Sequence, residues 1–288
     1  MIKIENTEVM GWEAAIRGMR NPKNSWKKND SGYGCSSDMV CEGGYVSTCR
    51  KCKNGYKLGP NDLNLMMTLR NAGTDHRKFM RMITVYVDIT APLYWWKEFK
   101  TYRAGKKFGD DEPDIIDEGY LEYDIEMNSC STMHKIHAKE FTLDDFSTEH
   151  LSEHSKAHFK QTIDLLNFYR ADFNNPDVDG DPKNKKFYWW QMIQLLPSSY
   201  NQRRTVMLNY EVLANMYKSR KDHRLDEWHD FCDWIKSLPY SELITGPSLR
   251  DIPICNEIME EANRRITNSA IEIDLANGPD MTGGKENV

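Results

Sequence analysis

The chain has 288 residues, with 38 Lys and Arg against 44 Asp and Glu, a net charge of −6 and an aromatic share of 11%. That modest acidity gives no general nucleic-acid or anionic-membrane footprint, and no stretch approaches the ~20 apolar residues that span a bilayer. MIKIENTEVM has no basic region followed by an apolar run, and the odd count of seven cysteines favours free thiols or metal over disulfides, so a cytoplasmic protein is expected.

In chain order, Ile2 and Ile4 mark a short strand, and Trp12 to Met19 a short helix. Asn21 to Gly34 reads as loop and leads to Cys35, Cys41, Cys49 and Cys52. The C-x-x-C pair beside a glycine turn has the form of a zinc knuckle, whereas the C-x5-C pair is looser than usual. Two readings stay open: a structural zinc on four thiolates, or reduced thiols in a surface hairpin.

A helix is expected over Asp62 to Asn71, stopped by Gly73. Ile83, Val85, Val87 and Ile89 alternate with Thr84, Tyr86, Asp88 and Thr90, the pattern of a half-buried strand. Ala91-Pro92 ends it and opens a helix, LYWWKEFKTYR, that carries Lys97, Glu98, Lys100 and Arg103 beside three aromatic rings. Residues 104–119 read as a charged loop. NSCSTMHKIH, residues 128–137, is too polar for core and serves either a ligand or an exposed turn.

Phe141 to Phe146 resembles a capped turn, and helices are expected over Lys156 to Asp172 and Tyr188 to Leu196. Asn175, Asp177, Asp179 and Gly180 mimic an EF-hand opening, but Lys186 stands where calcium needs a bidentate Glu. In the stretch from Leu195 to Leu238, Val206, Tyr210, Leu213 and Tyr217 recur at helical spacing. On one continuous helix, Asn209 and Arg220 would lie within about 20° of each other. The stretch is either a plain amphipathic helix or one with a ligand-facing stripe. Further helices are expected through Leu225 to Leu238 and Ile254 to Ile266, with a disordered tail from Gly278.

Taken in this order, the chain resembles the flavin-dependent thymidylate synthases, the ThyX family. AGTDHRKFMRMITVYVDITAPLYWWKEFKTYR, residues 72–103, stands where that family has its strand and R-Q-W-x-R-H-R helix. NSCSTMHKIH stands at the family's S-x-N-E-x-S-x-R segment, and LPSSYNQRRTVMLNYEVLANMYKSR at its L-P, N-L-R and L-R segment with the spacing N-x5-N-x4-R. The resemblance implies an α+β fold: a helix-rich domain over residues 1–270 around a small, mostly antiparallel sheet. A Cys-bearing insertion at about 35–57, the loop at 104–119 and a disordered tail at 271–288 fall outside the shared pattern.

The same resemblance implies methylation of dUMP to dTMP with FAD, methylenetetrahydrofolate and NADPH, in a homotetramer that binds a small nucleotide and no nucleic acid or membrane. Its residues carry over unevenly. Ser129, His134 and Arg220 fall at catalytic positions, and Arg81, Asn209 and Asn215 at cofactor-binding ones. Glu98, Arg103, Ser129, Ser131, Lys135 and Arg220 fall at substrate-binding positions. Thr101 and Tyr102 replace the first Arg and the His of R-H-R, while Glu98 and Glu211 put carboxylates where the family has Gln and Arg. Those departures keep two alternatives open: a non-catalytic nucleotide-binding protein of the same fold, or a flavin enzyme acting on a different pyrimidine. A zinc-stabilised interaction protein is a third. Cys130 is either a nucleophile toward a pyrimidine or, as is commoner for a lone thiol, inert.

Overall fold

A computed structural model describes residues 2–33, 56–102, 125–175 and 182–246. Its centre is a four-stranded antiparallel sheet in the order β1-β4-β6-β5, built from β1 (Lys3–Met10), β4 (Thr84–Pro92), β5 (Glu126–Ser129) and β6 (Asn201–Asn209). A two-stranded ribbon, β2 (Gly32–Tyr33) and β3 (Tyr56–Lys57), stands apart from it. The helices are α1 (Trp12–Arg20), α2 (Pro60–Asn71), α3 (Leu93–Phe99), α4 (Glu153–Asn174), α5 (Pro182–Leu195), α6 (Tyr210–Arg220), α7 (Asp226–Lys236) and α8 (Glu242–Thr245). The result is the helix-rich α+β architecture expected. No described helix is long and apolar enough to cross a membrane.

The alternation read in residues 83–90 is realised in β4. Val85, Val87 and Ile89 are buried under the helices, while Tyr86, Asp88 and Thr90 face the other side. That covered face carries the main core, where Trp95, Trp96 and Phe99 of α3 meet Trp228 and Phe231 of α7. The Tyr94 hydroxyl also donates to Glu227 and ties the same two helices. A second apolar cluster, around Phe141, Phe146, Ile163, Leu166 and Met192, is built where α4 and α5 pack together.

Two expectations are corrected here. Residues 201–209 are strand, so Val206 and Tyr210 do not share a helix face, and Asn209 and Arg220 do not lie on one continuous helix. The helix after Pro92 ends at Phe99, short of Tyr102. Its last turn tightens as Thr101 N–H donates to the Glu98 carbonyl (3.1 Å), which also accepts from the Thr101 hydroxyl (2.7 Å). The four cysteines, Arg103, the loop expected at 104–119, the helix expected near Ile254 and the expected tail lie outside the described residues. The residues described belong to a unit running from Met1 to Thr245 or border it at Gly246.

Polar contacts fix the periphery. Asp62 is fully buried and accepts from Arg20 Nε (2.7 Å), from the backbone of Asp30 and Ser31, and from the Ser31 hydroxyl. Removing one partner of such a pair leaves an unmatched buried charge, so D62A is expected to lower the unfolding free energy by ~3–5 kcal/mol in denaturant titration. On the open sheet face, Asp88 accepts from Thr205, Asn6 and Arg203, and these bonds hold its carboxyl at about 2, below its ordinary 3.8. A depressed carboxylate contributes stability above its unfolded value and loses it as the proton binds. Thermal stability therefore falls as pH drops from about 4 toward 2, and D88N should flatten that part of the profile.

Candidate functional site

Helices α3 and α6 leave the sheet at opposite ends and turn back over its covered face, so their C-terminal ends meet. There Arg220 Nη1 lies 3.0 Å from Glu98 Oε2. The same oxygen accepts from Trp228 Nε1 (3.1 Å) and faces His223 Nε2 at 3.6 Å. The Arg220 guanidinium sits 4.8 Å from the Trp228 ring centroid and 5.3 Å from that of Tyr102, a stacking that its planar cation favours. Its place at the end of α6 also suits the helix dipole. Burial pushes the Tyr102 phenol up, against the pull of Arg220.

Leu225 N–H donates to His223 Nδ1 (3.1 Å). An amide donor there requires a lone pair on Nδ1, so the proton of the neutral ring is on Nε2, facing Glu98. All three contacts to Glu98 fall on Oε2, and among the described residues none falls on Oε1. The cluster thus offers a fixed cation, an oriented imidazole and a carboxylate oxygen able to accept from a ligand N–H.

A second group sits at the start of α6. Asn209 ends β6 with extended dihedrals and caps the helix, its Oδ1 accepting from Val212 N–H (3.0 Å). Two residues on, Glu211 is fully buried and pairs with Arg77 Nε (3.2 Å) and with Arg81 Nε. Arg77 also donates to Asn215 Oδ1 (3.0 Å). Arg81 and Asn215, both expected near a cofactor, are therefore joined through Arg77 and Glu211. Five residues of helix turn ~500°, which points Asn215 and Arg220 about 140° apart.

The polar run forms a third group. Ser129 ends β5 directly across from Arg204. Ser131 Oγ accepts from His134 N–H (2.8 Å) and closes the following turn, on which Ser131, His134 and Lys135 are exposed. Cys130 is a free, exposed thiol. The structure makes this stretch a strand end followed by an exposed turn. Among the described residues no group of three or more His, Cys, Asp and Glu is placed to hold a metal.

The residues singled out in the sequence thus fall into three places: Glu98 with Arg220, Arg81 with Asn209 and Asn215, and Ser129 with Ser131, His134 and Lys135. Sequence reasoning missed Arg77, His223 and Arg204. Arg77 lies four residues before Arg81 and His223 three after Arg220, a proximity that carries no signal until the fold closes around Glu211 and Glu98. Because Glu211 joins two arginines from another segment, E211A should cost about 3 kcal/mol of stability. E211Q should cost less, since its amide oxygen still accepts. Denaturant unfolding of both variants checks this order.

No protein-family profile matches the chain, and no curated protein matches it. Among solved structures, the flavin-dependent thymidylate synthase ThyX of Helicobacter pylori, complexed with FAD and dUMP, is similar at 13% identity and a TM-score of 0.49, over 84% of this chain and 98% of that one. A second structure of the same enzyme with FAD and dUMP gives 13% identity and 0.48, over 85% and 98%. Values this low carry nothing about the chemistry of the residues described above.

Proposed function

We propose that the chain is a flavin-dependent methylating enzyme that converts dUMP to dTMP, with methylenetetrahydrofolate as one-carbon donor and NADPH as reductant. One observation carries the proposal. The two segments that resemble the ThyX family, residues 72–103 and 196–220, supply adjacent antiparallel strands, and their helices meet at Glu98 and Arg220. Assembly as a cytoplasmic homotetramer belongs to the same proposal.

The residues at the start of α6 fit a flavin dinucleotide in charge and donor type. Arg77 and Arg81 converge on the Glu211 carboxylate, and their side chains are 19% and 38% exposed. Two guanidinium forks held together suit a diphosphate, and Asn215 lies beside them. Asn209 has its oxygen committed to the helix cap, so its part is to fix where α6 begins. FAD, when bound, supplies the redox chemistry of the methyl transfer. For their part, Arg220 polarises and orients a pyrimidine carbonyl, and Glu98 Oε1 accepts from a ring N–H. His223, with its proton on Nε2, keeps the Glu98 carboxylate oriented.

A second reading, a flavin enzyme for a less anionic pyrimidine or a nucleotide binder without turnover, draws on one feature. Glu98 and Glu211 neutralise cations that a phosphate would otherwise meet. Spectroscopy tests the main proposal first: the purified protein, or the protein after FAD addition, should show flavin absorbance and altered flavin fluorescence. Release of deuterium from C5-labelled dUMP then separates turnover from binding, and R220A should lower that rate by at least ~100-fold. Failure to bind FAD, even with dUMP present, would remove the proposal.

A further inference from the structure

Arg204 is 7% exposed and points into the covered side of the sheet, yet no described carboxylate lies within ion-pair distance of it. Arg20, Arg77, Arg81, Arg203 and Arg220 all have one. Desolvation without a counter-charge draws its guanidinium down to about 10. Keeping an unmatched cation in such a place is costly, and the chain has built a support for it.

The guanidinium lies 4.3 Å from the Trp96 ring centroid. Nε and Nη2 both donate to Gln202 Oε1, at 3.0 and 2.7 Å. Gln202 is itself held, because its Nε2 donates to the Cys130 carbonyl (2.6 Å) and its own carbonyl accepts from Trp96 Nε1 (3.0 Å). The remaining contact is from Nη1 to the Met127 sulfur at 3.0 Å. A thioether is a weak acceptor on a flexible stem. The three bonds leave the guanidinium's donor set incomplete on that side.

Met127 itself is half-buried. Among the described strands β5 is at the edge of the sheet, and Ser129 at its end pairs in register with Arg204. Directly opposed residues of an antiparallel pair project from the same face with Cβ atoms about 5 Å apart, and Ser129 is exposed. A solvent-facing hydroxyl therefore stands beside the buried cation.

We infer that Arg204 and Ser129 form a phosphate-binding site at the β5 edge, in which an incoming phosphate displaces the Met127 thioether from Nη1 and accepts from both side chains. The inference deepens the proposed function by placing the phosphate of the nucleotide, and it rests on that reading only for the organic part of the ligand.

Titration calorimetry at constant ionic strength tests it, with inorganic phosphate, dUMP, deoxyuridine and acetate as probes. Phosphate and dUMP should bind the wild type, and deoxyuridine should bind at least ~10-fold more weakly than dUMP. R204M should weaken phosphate and dUMP by at least about tenfold, and S129A by a few-fold. M127L, which removes only the competing sulfur, should bind at least as well as wild type. If R204M does not fold, R204K retains the charge but loses the planar fork and should still weaken phosphate.

Phosphate binding unchanged in R204M, or in both R204K and S129A, would overturn the inference. Acetate displacing dUMP as well as phosphate does would also overturn it, in favour of a general carboxylate site. Phosphate binding through Arg204 with no FAD binding would sink the flavin proposal and leave this site standing. FAD binding and C5 exchange with Arg204-independent phosphate binding would do the reverse.

Discussion

The pairing of β4 with β6 is the constraint on which the rest of the molecule depends. It runs without interruption from Thr84 opposite Asn209 to Pro92 opposite Asn201. Backbone bonds continue it at both ends: Tyr210 N–H reaches the Ile83 carbonyl (3.1 Å), and Leu93 N–H reaches the Tyr200 carbonyl (3.0 Å). One register thus decides where α6 and α3 begin. A slip of one residue would turn Arg204 outward and Arg203 into the core. It would also separate Asp88 from Thr205 and Arg203, and Glu98 from Arg220.

Charge follows the same register. Neighbouring arginines on β6 meet opposite conditions, Arg203 facing Asp88 on the open side and Arg204 facing Trp96 and Gln202 on the covered one. On the helices, the two glutamates that depart from the ThyX pattern each stand against arginines, Glu98 against Arg220 and Glu211 against Arg77 and Arg81. Those carboxylates are integral to the packing, because a buried Glu211 without its partners would carry an unmatched charge. They also lower the positive potential at both ends of α6, whereas the buried Arg204 has no carboxylate within ion-pair distance among the described residues.

How much of this was legible depended on whether apolar periodicity matched the buried face. In β4 it did, since every covered position from Ile83 to Ile89 is Ile or Val, and strand, turn and following helix could be read. In β6 it did not. Two of the covered positions are Gln202 and Arg204, and Met207 lies on the opposite side, so no alternation survives. What remained visible was the four-residue interval from Val206 to Tyr210, which imitates a helix across a strand end. The resemblance put Glu98 and Arg220 at substrate-binding positions but did not foretell their contact, because a pair 122 positions apart leaves no local pattern. The Arg77–Glu211 pairing left no pattern either, and Arg204 lay inside a stretch whose spacing imitated a helix.

Asn209 shows why a residue at a family motif position can be structural and still set the site. A strand of nine residues spans ~30 Å. The eleven residues of α6 cover ~16 Å of that length from one end, and the seven of α3 about 10 Å from the other. The two helices therefore close most of the distance, and long side chains at Arg220 and Glu98 span what remains. The cap at Asn209 is the origin of that ruler. Starting α6 one residue later would move each helical position by ~1.5 Å and ~100° relative to the sheet, enough to take Arg220 off the Trp228 ring and away from Glu98. The asparagine thus acts on the site through the geometry of the helix it begins.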